Sequence, residues 1–148
     1  MRMFISRFVT ATPDRVFTLV ADMASWPKHF SAIKGVEVLT EGVVGVGTRF
    51  RETRHMMKGE SVAEMEVAVW DPPHAFVFVS DSCGVRFTMT QRFIAQRGGT
   101  LVELDMVSKA SSWLGVLCTP MGWLFRGTMK KMIAKDFDDL AACFEETP

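Results

Sequence analysis

The 148-residue chain contains no tyrosine and carries no net charge, with 17 basic side chains against 17 acidic ones. A neutral balance gives no electrostatic footprint for nucleic acid or for an anionic membrane surface, so nucleic acid is not an expected partner. Cysteine is scarce: Cys83, Cys118 and Cys143 are odd in number and form no C-x-x-C pair. That speaks against a disulfide framework and for a reducing, cytoplasmic setting. Arg2 and Arg7 interrupt the apolar residues at the start, so no signal-peptide core is expected there. The run from Trp113 to Phe125 contains Pro120, Gly115 and Gly122, and at about 13 residues it is too short to span a bilayer. Signature motifs are missing too. Gly45-Val46-Gly47 lacks the third glycine of a dinucleotide fingerprint, and no G-x-S-x-G, H-E-x-x-H or P-loop sequence occurs. His29, His55 and His74 are widely separated. Neither a metal site nor a bound cofactor is therefore expected.

What the chain has instead is methionine and phenylalanine, 11 and 12 residues, with 4 tryptophans. These are adaptable side chains, suited to an apolar interior that need not close tightly on itself. The length is enough to bury a core without staples, and we expect one domain over residues 1–148. Near the end, Thr119-Pro120 reads as a helix cap followed by proline at the first helical position. Beyond it Met121, Phe125, Met129, Ile133, Phe137, Leu140 and Phe144 recur at steps of three and four, one apolar stripe along a helix running to about Glu145. Arg126, Lys130, Lys131, Lys135, Asp136, Asp138 and Asp139 are assigned mostly to its other faces. Such a helix must lie on something broad and apolar.

The preceding residues supply a sheet. Residues 2–10 read as a first strand; Thr12-Pro13-Asp14 starts a short helix with Val16, Phe17, Leu19, Val20 and Met23 on its buried side; Ser25-Trp26-Pro27 breaks it, and a second short turn runs to about Phe30. Then period-two patterns follow at Val36–Thr40, Thr48–Met57, Ser61–Trp70, Ala75–Ser80, Val85–Ala95 and Thr100–Ser108. Asp71-Pro72-Pro73-His74 is a hard stop between strands, and Ser82-Cys83-Gly84 and Gly98-Gly99 mark turns. Connections this short imply an antiparallel sheet with the helices on one side, an α+β fold in the order β-α-α-β6-α.

Alternation then assigns faces. The inward set is Phe50, Glu52, Arg54 and Met56; Ala63, Met65, Val67 and Val69; Phe76 and Phe78; Val85, Phe87, Met89, Gln91 and Phe93; and Val102, Leu104 and Met106. Three members are polar, Glu52, Arg54 and Gln91. A buried charge is costly unless it is paired, reaches water or meets a ligand, so two readings stand: these side chains orient a polar group of a guest, or they form a structural pair near a strand end. Glu52 is the one carboxylate placed inside, and hence the candidate for proton transfer. Trp26, Phe30, Trp113, Leu117 and Trp123 fall at helix starts and turns, where they would cover or gate the end of the interior.

Several segments together resemble the START-like, or SRPBCC, superfamily, which includes polyketide cyclase/dehydrase and birch-pollen-allergen relatives. They are Ala11-Thr12-Pro13-Asp14-Arg15-Val16-Phe17, Trp26-Pro27, Gly45-Val46-Gly47-Thr48-Arg49-Phe50, Trp70-Asp71-Pro72-Pro73, Gly98-Gly99-Thr100 and Trp113-Leu114-Gly115. The resemblance implies a helix-grip fold, in which a curved sheet of about seven antiparallel strands wraps the C-terminal helix and leaves an apolar tunnel. It also implies a small apolar partner such as a lipid, polyketide or aromatic molecule, held by a carrier or sensor. The expected contacts are Phe50, Glu52, Arg54, Met65, Val67, Phe76, Phe78, Phe87, Met89, Gln91, Leu104 and Met106 from the sheet, with Trp113, Leu117, Met121, Phe125 and Met129 from the helical end. Two alternatives are an aromatase/cyclase in which Glu52 moves protons, and a module resembling the co-chaperone branch that binds another protein.

Overall fold

Alternating side chains make seven strands, and the short turns between six of them dictate a meander. A computed structural model describes residues 1–56, 59–124 and 126–145, without the side chains of residues 119 and 121–123. The strands are β1 (Arg2–Val9), β2 (Ile33–Val38), β3 (Arg49–Met56), β4 (Gly59–Asp71), β5 (Ala75–Ser82), β6 (Val85–Gln96) and β7 (Gly99–Ala110). They form one antiparallel sheet in the order β1-β7-β6-β5-β4-β3-β2, so the first strand closes against the last. Between β1 and β2 come α1 (Pro13–Ala21), a 3₁₀ turn (Met23–Ser25) and α2 (Trp26–His29); after β7 come α3 (Trp113–Leu124) and α4 (Arg126–Ala142). This is the helix-grip arrangement, with α4 laid across the concave face.

α1 and α2 close one end of that face. Pro13 occupies the first turn of α1, where its missing N–H is no loss, and Val16, Phe17 and Val20 are buried. Phe17 meets Trp70, Phe76 and Phe93 edge-on or nearly so, at centroid distances of 5.2, 5.9 and 5.2 Å. Trp26 meets Phe50 at 5.6 Å and Phe78 at 6.2 Å, and its indole N–H donates to the Val20 carbonyl at 2.9 Å. These are favoured ring geometries, and the buried indole has its partner.

Two sequence expectations need correction. Val69, assigned inward, is exposed, whereas Trp70 turns in to stack on Phe76. The cause is a bulge: Val67 pairs with Phe78 but Val69 pairs with Val77, so one extra residue on β4 reverses the faces beyond it. The C-terminal helix also starts earlier than the Thr119-Pro120 signal suggests. Helix begins at Trp113 and Pro120 lies inside α3, not at the first position of a long helix. The start is set by Ser111, whose N–H and hydroxyl both donate to the Gly84 carbonyl (2.7 and 2.9 Å), followed by the Val116 N–H to Ser112 O bond. Gly115 is required at this junction, because a Cβ there would lie 2.0 Å from the Gly84 oxygen.

Candidate functional site

Strand register builds the floor of the site row by row. Phe78, Met89 and Met106 pair across β5, β6 and β7, and Phe76, Gln91 and Leu104 form the next row. Met65 and Ala63 extend the floor onto β4, and Glu52 and Arg54, two residues apart on β3, point the same way. Opposite stand Met129, Met132, Ile133, Asp136, Phe137 and Leu140 of α4. Between the two layers lies a cavity of about 440 Å³. Its closed end is the ring cluster at Trp26, Phe30, Phe76 and Phe78; at its other end the exposed residues Met56, Ser61, Val62, Asp81 and Ser82 open it to solvent.

The polar corner of this cavity is a triad. Arg54 Nε donates to Glu52 Oε1 at 2.9 Å, and Arg54 Nη1 lies 2.8 Å from Asp136 Oδ2. The side chains of Glu52, Arg54 and Asp136 keep only 11, 13 and 15% of their surface. The second contact is a close ion pair of poorer alignment, and among the described residues Asp136 Oδ1 is buried without a hydrogen-bond partner. Two carboxylates thus share one guanidinium whose better-aligned bond goes to Glu52. Burial works against the charge on Arg54, but the two acids outweigh it and hold its pKa above the ordinary value. Burial raises the Asp136 carboxyl to a pKa of about 6, against the pull of Arg54.

Of the residues expected from the sequence to meet a guest, Glu52, Arg54, Met65, Phe76, Phe78, Phe87, Met89, Gln91, Leu104, Met106 and Met129 line the cavity. Phe50 and Val67 face inward but do not line it; they are buried to 0 and 1% exposure against the ring cluster. Trp113 and Leu117 do not reach the interior at all. They are 71 and 68% exposed, because α3 packs its Gly115 side, not those side chains, on the β5–β6 turn. Phe125 lies outside the described residues, as do the side chains of Met121 and Trp123.

Asp136 is the cavity residue that sequence reasoning assigned to the wrong face. Its charge suggested a solvated face, yet it stands seven residues from Met129, three from Ile133 and four from Leu140, which is the spacing of the buried stripe. Periodicity alone would have found it. Met132 was passed over in the same way, at seven residues from Phe125 and four from Asp136.

Residues 3–145 match the family model for polyketide cyclase/dehydrase and lipid transport. The chain belongs to that family. Its members' superfamily, START/SRPBCC, is also where its structural neighbours lie. This family member is similar to Ara h 8.0201, with a TM-score of 0.75 at 15% identity over 97% of each chain. It is similar to a START superfamily protein from Mycobacterium smegmatis, with a TM-score of 0.73 at 15% identity over 97% of this chain and 96% of the other. A third is the Zhui aromatase/cyclase from Streptomyces sp. R1128, with a TM-score of 0.72 at 14% identity over 96 and 92%. At such identities the likeness is one of fold. No curated protein sequence matches the chain. Among the described residues, no helix is long and apolar enough to cross a membrane.

Proposed function

We propose that the chain holds one small apolar molecule between its sheet and α4, as a carrier or sensor. The observation that carries this reading is the cavity itself: about 440 Å³, walled largely by methionine, phenylalanine and leucine, with Gln91 on the floor and the other polar groups toward one corner and the mouth. That size and lining suit a single small ligand. Affinity would come from burial of the ligand's apolar surface, about 25 cal/mol per Å² before ordering costs. Gln91 and the Glu52–Arg54–Asp136 corner would fix its orientation, favouring a guest with one hydrogen-bonding end. Mass spectrometry of the protein under native conditions, then after denaturation, tests this. The expected result is a mass excess that disappears on unfolding and is recovered as a small molecule. Persistent emptiness, with no rise in Tm from a panel of fatty acids, sterols and polycyclic aromatics, would remove the carrier reading.

A second reading, proton transfer in a cyclase, is favoured by one feature, a carboxyl on the cavity wall with a pKa of about 6. That carboxyl is Asp136, so the role first assigned to Glu52 passes to it. Ring closure of a linear polyketide surrogate by the wild type, lost in Asp136→Asn with binding retained, would establish the enzyme; no ring closure by the wild type would leave the carrier.

A further inference from the structure

The net charge of zero conceals a local excess. From residue 106 to residue 135 the chain carries Lys109, Arg126, Lys130, Lys131 and Lys135 and no aspartate or glutamate. Inside this stretch lies α3, without a single charged residue. A helix this apolar belongs in a protein core or in lipid, yet most of the described side chains of α3 are exposed. Trp113, Leu117, Pro120 and Leu124 follow at steps of four, three and four, one stripe along a single face. Trp113, Leu117 and Leu124 are 71, 68 and 80% exposed, and Leu114 and Val116 beside them are exposed as well. The opposite side is fixed in place, since Gly115 sits against the Gly84 turn. The stripe therefore points away from the body of the protein.

Its position relates it to the cavity. The turn on which α3 begins directly follows Asp81 and Ser82, which line the open end; the helix after α3 contributes Met129 and Met132 to the cavity wall. Cations bracket the helix in sequence: Lys109 lies at the end of β7, and Arg126, which donates to the Arg2 carbonyl at 3.0 Å, Lys130 and Lys131 in the first turns of α4, all exposed. The acids around the mouth are paired: Asp81 with Arg86 at 3.1 Å, Glu64 with Arg49 and Glu60 with Lys34. An exposed apolar stripe with tryptophan at one end and basic residues before and after it in sequence matches the boundary of an anionic bilayer, where rings and leucines enter the acyl edge and lysines meet headgroups.

We propose that α3 is an interfacial docking helix that seats the mouth of the cavity against an anionic lipid surface. Nothing in this requires the cavity to be filled, so docking and ligand binding stand or fall separately. The test is sedimentation of the full-length protein with vesicles of phosphatidylcholine alone or mixed with phosphatidylglycerol, at low and high salt. Binding is expected to the mixed vesicles, much weaker to phosphatidylcholine, and reduced by salt. Trp113→Ser combined with Leu117→Ser should lower the affinity by about tenfold or more, and Lys130→Glu with Lys131→Glu should abolish the preference for phosphatidylglycerol. All four side chains named are exposed or half-exposed, so the variants keep their fold, which circular dichroism and Tm verify. Absence of sedimentation with either vesicle overturns the proposal. So does binding that the α3 substitutions leave unchanged, or a stable dimer in solution that those same substitutions dissociate and that vesicles do not displace.

Discussion

Two parts of the concave face are made from similar residues and behave differently. At the closed end Phe17, Trp26, Phe30, Phe50, Trp70, Phe76, Phe78 and Phe93 meet ring to ring at centroid distances of 4.3–6.4 Å. Beside it, from the middle of the floor to α4, Met65, Met89, Met106, Met129 and Met132 border the cavity instead. Rigid planar rings held by two short helices interlock; flexible thioethers under one long helix do not have to. Stability should accordingly concentrate in the first part and adaptability in the second, with the Glu52–Arg54–Asp136 corner tying the sheet to the long helix.

The largest effect is expected at the closed end. Phe50→Ala removes a fully buried ring that touches Trp26 and Phe78, and should destabilise by about 4 kcal/mol in urea unfolding. Arg54→Met comes next. It leaves two buried carboxylates without their cation, a loss of about 3 kcal/mol at neutral pH. Because Asp136 then takes up a proton more readily, the deficit should shrink in acid buffer. A uniform deficit across pH would show that the corner acts through packing instead of charge.

Asp136 supplies an effect of similar size that depends on pH. Its carboxyl titrates at about 6 in the folded protein against 3.8 in the free side chain. A folded state that binds the proton more tightly is favoured at low pH. The contribution is therefore complete below the unfolded value and lost as pH rises through about 6, roughly 3 kcal/mol in all. Asp105 works in the opposite sense, because its bidentate bonds to Arg2 hold its carboxyl low and stabilise the fold as pH rises. The measurable quantity is the difference between wild type and Asp136→Asn, which should fall steadily from pH 4 to pH 7. A flat difference would contradict the burial assigned to Asp136.

Most of the sheet was legible because alternation is imposed by backbone geometry, and the turn residues at Pro72-Pro73, Gly84 and Gly98 interrupt it visibly. The bulge at Val67–Val69 was not, since an extra residue has no composition of its own; only the size of Trp70 hinted that it belonged inside. The α3 boundary was misread because Thr119-Pro120 imitates a cap, whereas the true start depends on a long-range bond from Ser111 to the Gly84 carbonyl. Trp113 and Leu117 were set at the end of the interior from their place at a helix start and from the family resemblance, neither of which says which side of a helix finds a partner. Asp136 was lost to the converse prejudice. Its spacing was right and its charge diverted attention from it, although Arg54, itself assigned inward, needed an acid somewhere across the cavity.

The smallest effect on stability should accompany the largest effect on function, and Met89 is where the two separate. It lies in the middle of the floor, paired with Phe78 on one side and Met106 on the other, and its outer end borders the cavity instead of a packed neighbour. Truncation to alanine removes fewer contacts than in a filled core, so Met89→Ala should destabilise by only about 1 kcal/mol. Met89→Trp adds volume where space exists and should leave stability within about 1 kcal/mol of wild type. The same substitution occupies the room a guest would need, so uptake of apolar molecules should fall at least tenfold. A matched pair of binding isotherms and urea curves would check this. If the tryptophan variant binds as well as wild type, the hollow under α4 is not where the guest resides; if it unfolds several kcal/mol more easily, the methionine-lined part is as tightly packed as the ring cluster, and the contrast between the two disappears.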